Sequence, residues 1–100
     1  MTREEAMAAL AKHRREIDAL DLELLRLLNQ RTRVVESIGF IKQEIQLPVY
    51  EPKREEDVFR NVVEHNDGPL GADALKRIFE RIIDEMRSLQ RMRRQGDKQC

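Results

Sequence analysis

The chain has 100 residues, 38% of them charged, with 19 basic side chains balanced by 19 acidic ones. That length holds one domain with a modest core, and the balance excludes the strongly basic surface of a nucleic-acid or membrane-surface binder. Aromatic residues make up only 4%, tryptophan is absent, and Gly and Pro are scarce, most of them in two short stretches, a composition that favours an all-α fold.

Everything before Pro48 reads as one helix of roughly forty residues, which spans about 60 Å. That is twice the diameter of a small domain, so a partner chain is expected along it. Its stripe runs Leu10, Arg14, Ile17, Asp21, Leu24, Leu28, Arg31, Val35, Ile38, Lys42, Ile45, in the alternating steps of a coiled-coil-like seam. Leu20, Leu25, Leu27, Val34 and Ile41 widen it into a broad apolar face. The first breaker, Leu47-Pro48-Val49-Tyr50-Glu51-Pro52, ends this helix and puts Pro52 in the first turn of a second one, where its missing N–H does no harm. The second helix is expected to reach about His65. The stretch from His65 to Gly71 is the second breaker, and Gly71 or Asp73 can cap a third helix ending near Arg94. The apolar face of this helix is Leu75, Ile78, Phe79, Ile82, Met86 and Leu89, extended by Gln90 and Arg93. Arg91, Arg93 and Arg94 then read as a basic last turn that complements the helix dipole. Residues 95–100 are polar and expected to fray, leaving 1–94 as the domain.

The single cysteine, Cys100, has no internal partner, which fits a reducing compartment. No N-terminal apolar run resembles a signal peptide and no apolar stretch approaches ~18 residues. The expected location is cytoplasmic, without a membrane or nucleic-acid partner.

Four of the eleven seam positions are charged, and an unpaired charge in an apolar face is costly. Lys42 follows Arg31 by almost three helical turns, so both point one way, about 16 Å apart along the axis. They can converge on one small anion over Val35 and Ile38, or each can snorkel or pair with a carboxylate. Arg14 lies about 25 Å from Arg31 on the same helix, too far to share a small metabolite within one chain. An antiparallel twofold dimer would bring Arg14 of one chain to Arg31 and Lys42 of the other; a local pair with Asp18 is the alternative. Arg54 continues the Val58 and Val62 face of the second helix, with Glu55 beside it, at an N-terminus that attracts anions. An ordinary charged first turn is the alternative reading of this segment. Gln90 adds a neutral donor and acceptor on an inner face, or is a satisfied helix-end residue. No Cys/His set has metal-ligand spacing, His13 and His65 lack a nucleophile partner, and no phosphate-binding Gly-rich loop occurs. Such a set binds and polarises; it offers no nucleophile, and no cofactor or metal is expected.

The order Arg-x-x-Ile-Asp-x-Leu-Asp at 14–21, Leu-Leu-x-Leu-Leu-x-x-Arg at 24–31 and Ile-Gly-x-x-Lys at 38–42 resembles the all-helical (AroQ-class) chorismate mutases. So do Pro-Val-Tyr-Glu-Pro-x-Arg-Glu at 48–55, Ile-Phe-x-x-Ile-Ile at 78–83, and Leu89-Gln90. The resemblance implies three helices, one very long, in an intertwined homodimer with two identical sites. It implies conversion of chorismate to prephenate, a Claisen rearrangement feeding phenylalanine and tyrosine synthesis. In that family pattern Arg14 from the partner chain and Arg31 would hold the two carboxylates, and Lys42 and Gln90 would donate to the ether oxygen. Arg54 would add positive potential, Glu55 would accept from the ring hydroxyl, and Glu51 would lie near that hydroxyl. Lys42, Gln90 and Arg31 are then the catalytic set.

One departure stands out: Met86 occupies the position where many relatives carry a Ser that could contact a substrate carboxylate, and weaker binding or a compensating water is expected. Two other readings share these residues. An isochorismate pyruvate-lyase would use the same cationic site, and a non-catalytic module would bind chorismate or prephenate while docked to another pathway enzyme.

Overall fold

The structure is a computed structural model that describes residues 1–99, with side chains described as far as residue 95. Cys100, and with it the expectation about its thiol, lies outside the described residues. Three helices follow in order: α1 (Arg3–Glu44), α2 (Pro52–His65) and α3 (Ala72–Gln99). No strand occurs among the described residues, so the fold is all-α as the composition implied. None of these helices is long and apolar enough to cross a membrane. The chain divides into two compact units, Met1–Val34 and the remainder from Val35 onward.

The first unit is the N-terminal part of α1. Thr2 caps it: its hydroxyl accepts from the Glu5 N–H at 3.1 Å, and its carbonyl accepts from Ala6 at 2.9 Å. The acidic Glu4 and Glu5 sit in the first turn, where the helix dipole favours them. Arg26 and Glu23 pair at 2.6 Å on the outside, and that guanidinium holds the Glu23 carboxyl below its ordinary value. No residue from 1 to 34 is buried. Ile17, Leu20 and Leu24 stand 56%, 59% and 56% exposed. Isolated helices gain little from propensity alone and owe most of their stability to packing of an apolar face, so this stripe lacks what normally holds it.

The second unit contains the end of α1, α2 and α3. Its core among the described residues is Leu75 and Ile83, both on α3, with α2 packed against α3. α1 does not run up to Pro48. It ends at Glu44 in a reversal where Gln46 takes φ 60°. Leu47 N–H returns to the Lys42 carbonyl at 2.8 Å and Gln46 N–H to the Gln43 carbonyl at 3.3 Å. That pair of bonds is a Schellman cap, in which glycine usually holds the left-handed position. Pro52 opens α2 as expected. Between α2 and α3, the Asn66 carboxamide accepts from Gly68 N–H at 3.2 Å and donates to the Leu70 carbonyl at 2.7 Å. Gly71 supplies the carbonyl that starts α3, bonded by Leu75 N–H at 2.9 Å.

α3 continues to Gln99, past the end expected at Arg94. Arg93 and Arg94 are therefore not a dipole-capping last turn. Arg93 pairs with Glu36 at 3.1 Å, and Arg94 donates to the Leu47 carbonyl at 2.9 Å. These contacts tie α3 to the end of α1 and to the segment that follows it, and tertiary partners outweigh the weaker helix-dipole term.

Candidate active site

Lys42 is the anchor. It lies in the last turn of α1 and is 9% exposed, the one buried charged residue among those described. Its Nζ donates to the Val49 carbonyl at 3.0 Å and meets Glu51 Oε1 at 2.6 Å. An ammonium carries three N–H donors, so one remains for a ligand. The local sequence explains the arrangement. The Schellman reversal turns the chain back at Gln46, and the segment up to Pro52 carries Val49 and Glu51 past the Lys42 head. Glu51 is the N-cap residue of α2, yet its side chain makes no capping bond. The carboxylate is spent on Lys42 instead.

Gln90, on α3, donates from Nε2 to the Val35 carbonyl at 3.1 Å. It is not a helix-end glutamine, since α3 runs on to Gln99. The bond spends one of its two amide N–H groups and fixes the direction of the other. Gly39 faces this contact: a Cβ added there would lie 3.5 Å from Gln90 Cγ and 3.7 Å from Nε2, ordinary contact distances. A shallow groove runs beside this contact, lined by Glu36, Gly39, Phe40, Gln43, Leu89, Gln90, Arg93 and Arg94. Lys42, Glu51 and Glu55 do not line it, so concavity alone does not mark the cationic site.

The remaining expected residues are distributed as follows. Glu55, in the first turn of α2, is held by Arg87 of α3, whose Nη2 lies 2.8 Å from both carboxylate oxygens. Arg54 is exposed beside it, and Met86 is half-buried on α3. Arg14 and Arg31 belong to the first unit, Arg14 exposed and Arg31 half-buried. Within that one helix they lie about 25 Å apart, so one chain cannot close both on a small ligand. The structure thus joins Lys42 with Glu51.

Sequence reasoning missed two participants and gave a third, Arg94, another role. The Val49 carbonyl carries no side-chain signal at all. Arg94 reaches the Leu47 carbonyl only because α3 passes that loop. Arg87 did leave a trace: it continues the four-residue row of Leu75, Phe79 and Ile83, which includes both buried core positions. A charge extending the most buried row of an amphipathic helix calls for a partner on the facing helix.

Fold and site together define a small helical protein with a buried ammonium, an oriented amide and a carboxylate at a helix N-terminus. Such a set can bind and polarise an anionic ligand, and it contains no nucleophile. Residues 13–91 match the chorismate mutase type II family, and the chain belongs to it. It is 37% identical over 89 residues to the bifunctional chorismate mutase/prephenate dehydratase of Aquifex aeolicus, covering 85% of this chain and 25% of that protein. It is 29% identical to the chorismate mutase of Methanocaldococcus jannaschii, covering 82% of this chain and 84% of that one. The chain thus spans about a quarter of the bifunctional relative's length and most of the archaeal one. Among solved structures, a chorismate mutase from Thermus thermophilus superposes with a TM-score of 0.81 at 34% identity, covering 83% of this chain and 94% of that one. The Helicobacter pylori chorismate mutase in complex with prephenate gives 0.78 at 33% identity, covering 84% and 91%.

Proposed function

We propose that this chain is a chorismate mutase that converts chorismate to prephenate, acting as an intertwined homodimer in the cytoplasm. The observation that carries the reading is the Lys42 ammonium, buried and held by Val49 and Glu51 with one N–H to spare. Chorismate is a dianion, and the reaction breaks a C–O bond while forming a C–C bond, with no proton transferred and no covalent enzyme intermediate. Negative charge grows on the ether oxygen as the bond stretches. A fixed cation aimed there acts mainly on the transition state and so raises the rate. Lys42 supplies the cation and Gln90 a neutral donor.

Arg31 and the partner's Arg14 take the two carboxylates, pairing for which guanidinium is well suited. Arg54 adds positive potential and Glu55 accepts from the ring hydroxyl. Holding the enolpyruvyl group over the ring contributes a further part of the barrier reduction. Met86 offers no hydroxyl to the substrate, and Ser88 is exposed on another face. Two further observations support the dimer: the bare apolar stripe of residues 1–34 and the separation of Arg14 from Arg31 along one helix. Relatives in which a chorismate mutase is joined to prephenate dehydratase make attachment to another pathway enzyme a natural extension. The test is ultraviolet loss of chorismate with parent and Arg31→Ala protein side by side. Rapid loss with the parent and a large fall in the variant are expected. Pyruvate release from isochorismate without prephenate formation from chorismate would overturn the assignment in favour of a lyase.

A further inference from the structure

The geometry points to Arg87 as a positioning residue that fixes the Glu55 carboxylate and offsets its charge. Arg87 Nη2 lies 2.8 Å from both oxygens of Glu55, and Nη1 lies 3.4 Å from Asp84 Oδ1. The guanidinium stacks over the Tyr50 ring at 5.0 Å from its centroid. Three segments thus meet on one side chain: the α1–α2 connection through Tyr50, the first turn of α2 through Glu55, and α3. Both partners of the ion pair are about four-fifths withdrawn from water, at 21% and 22% exposure. Screening is weaker there than at the surface, and the rotamer of Glu55 is set from outside its own helix.

This inference rests on the reading that Glu55 accepts from the ring hydroxyl of chorismate. A lone carboxylate facing a dianion would repel it. Paired with Arg87, the Glu55 charge is offset where it is withdrawn from water, while the more exposed Asp84 shares the same guanidinium at 3.4 Å. The carboxylate still has acceptor capacity for a hydroxyl, because its oxygens offer about four lone-pair sites. The Nε of Arg87 is buried without a hydrogen-bond partner, an unfavourable arrangement for a residue kept only for stability.

The experiment is steady-state kinetics of parent, Arg87→Met and Arg87→Lys protein on chorismate and on an analogue lacking the ring hydroxyl. Arg87→Met should lower kcat/KM for chorismate roughly tenfold, mostly through KM, the size expected for one charge-assisted hydrogen bond. On the analogue the same variant should lose clearly less than on chorismate, because only the repulsion by the uncancelled Glu55 charge remains and the hydroxyl contact is missing. Arg87→Lys keeps the charge but not the planar fork, and should fall between. It also carries the comparison if Arg87→Met yields too little folded protein. Equal losses on both substrates would reduce Arg87 to a structural brace and overturn the inference, as would unchanged turnover of chorismate. A parent unable to convert chorismate sinks the functional reading itself; an active parent with an indifferent Arg87→Met sinks only the role of Arg87.

Discussion

The Lys42 ammonium stands 2.6 Å from the carboxylate of Glu51, the N-cap residue of α2. A helix cap has given up its usual backbone bond to aim a cation from the preceding helix. Lys42→Ala removes that cation, and turnover of chorismate should fall at least ~10²-fold, as for loss of one preorganised donor. The fall should appear in kcat. Turnover within a few-fold of the parent would end the assignment of Lys42 to the ether oxygen.

Glu51→Gln separates orientation from charge. The amide still fits beside Lys42 but no longer holds it electrostatically, and one negative charge leaves a site for a dianion. We expect kcat to drop several-fold while KM stays level or falls. A rise in KM with kcat unchanged would mean that Glu51 contacts substrate rather than steering the lysine.

The bare stripe of α1 makes its own prediction. Leu24 is 56% exposed in one chain, and a surface substitution of that kind normally changes stability by no more than about 0.5 kcal/mol. If a second copy covers it, Leu24→Arg buries a charge in an interface. Sedimentation should then show a dimer for the parent and a monomer with lost helicity for the variant. Identical sedimentation and melting would remove the dimer.

Sharing of sites between chains is tested by mixing two dead enzymes. Arg14→Ala and Lys42→Ala protomers, refolded together, form mixed dimers in which one site carries both lesions and the other carries neither. With random pairing about a quarter of parental activity should return, because half the dimers are mixed and each has one intact site. No recovery would place Arg14 in its own chain's site, and an Arg14→Ala protein active by itself would place it outside any site.

Two backbone positions separate stability from chemistry. Gln46 holds φ 60° in the α1 cap, a conformation that costs a non-glycine residue about 1 kcal/mol or more. Gln46→Gly should raise Tm at fixed protein concentration and leave kcat alone. At Gly39, alanine adds helix propensity of up to about 1 kcal/mol, and its methyl meets Gln90 at ordinary contact distance. Gly39→Ala should therefore be stable and active, whereas Gly39→Leu should push Gln90 away and cost turnover. Equal activity in both would show that the Gln90 position does not matter.

Much of this molecule was legible in one dimension. Helix periodicity and the two Pro/Gly breakers marked three helices, because a 3.6-residue repeat and a missing N–H act locally. The apolar stripe of α1 was readable from its spacing, and Arg31, Lys42, Arg54 and Gln90 stood out as polar groups continuing apolar faces, with Glu55 beside Arg54. What the sequence could not contain are contacts between atoms that no local rule relates. Gln46 ends α1 through backbone geometry that a glutamine does not advertise. The Val49 carbonyl reaches Lys42 only because the chain reverses there. Arg87 and Glu55, 32 residues apart, meet only after α2 packs on α3, and Arg94 finds Leu47 in the same way. Local chemistry chose the elements and the charged residues; three-dimensional packing chose which carboxylate faces which cation, because the distances between them depend on every turn in between.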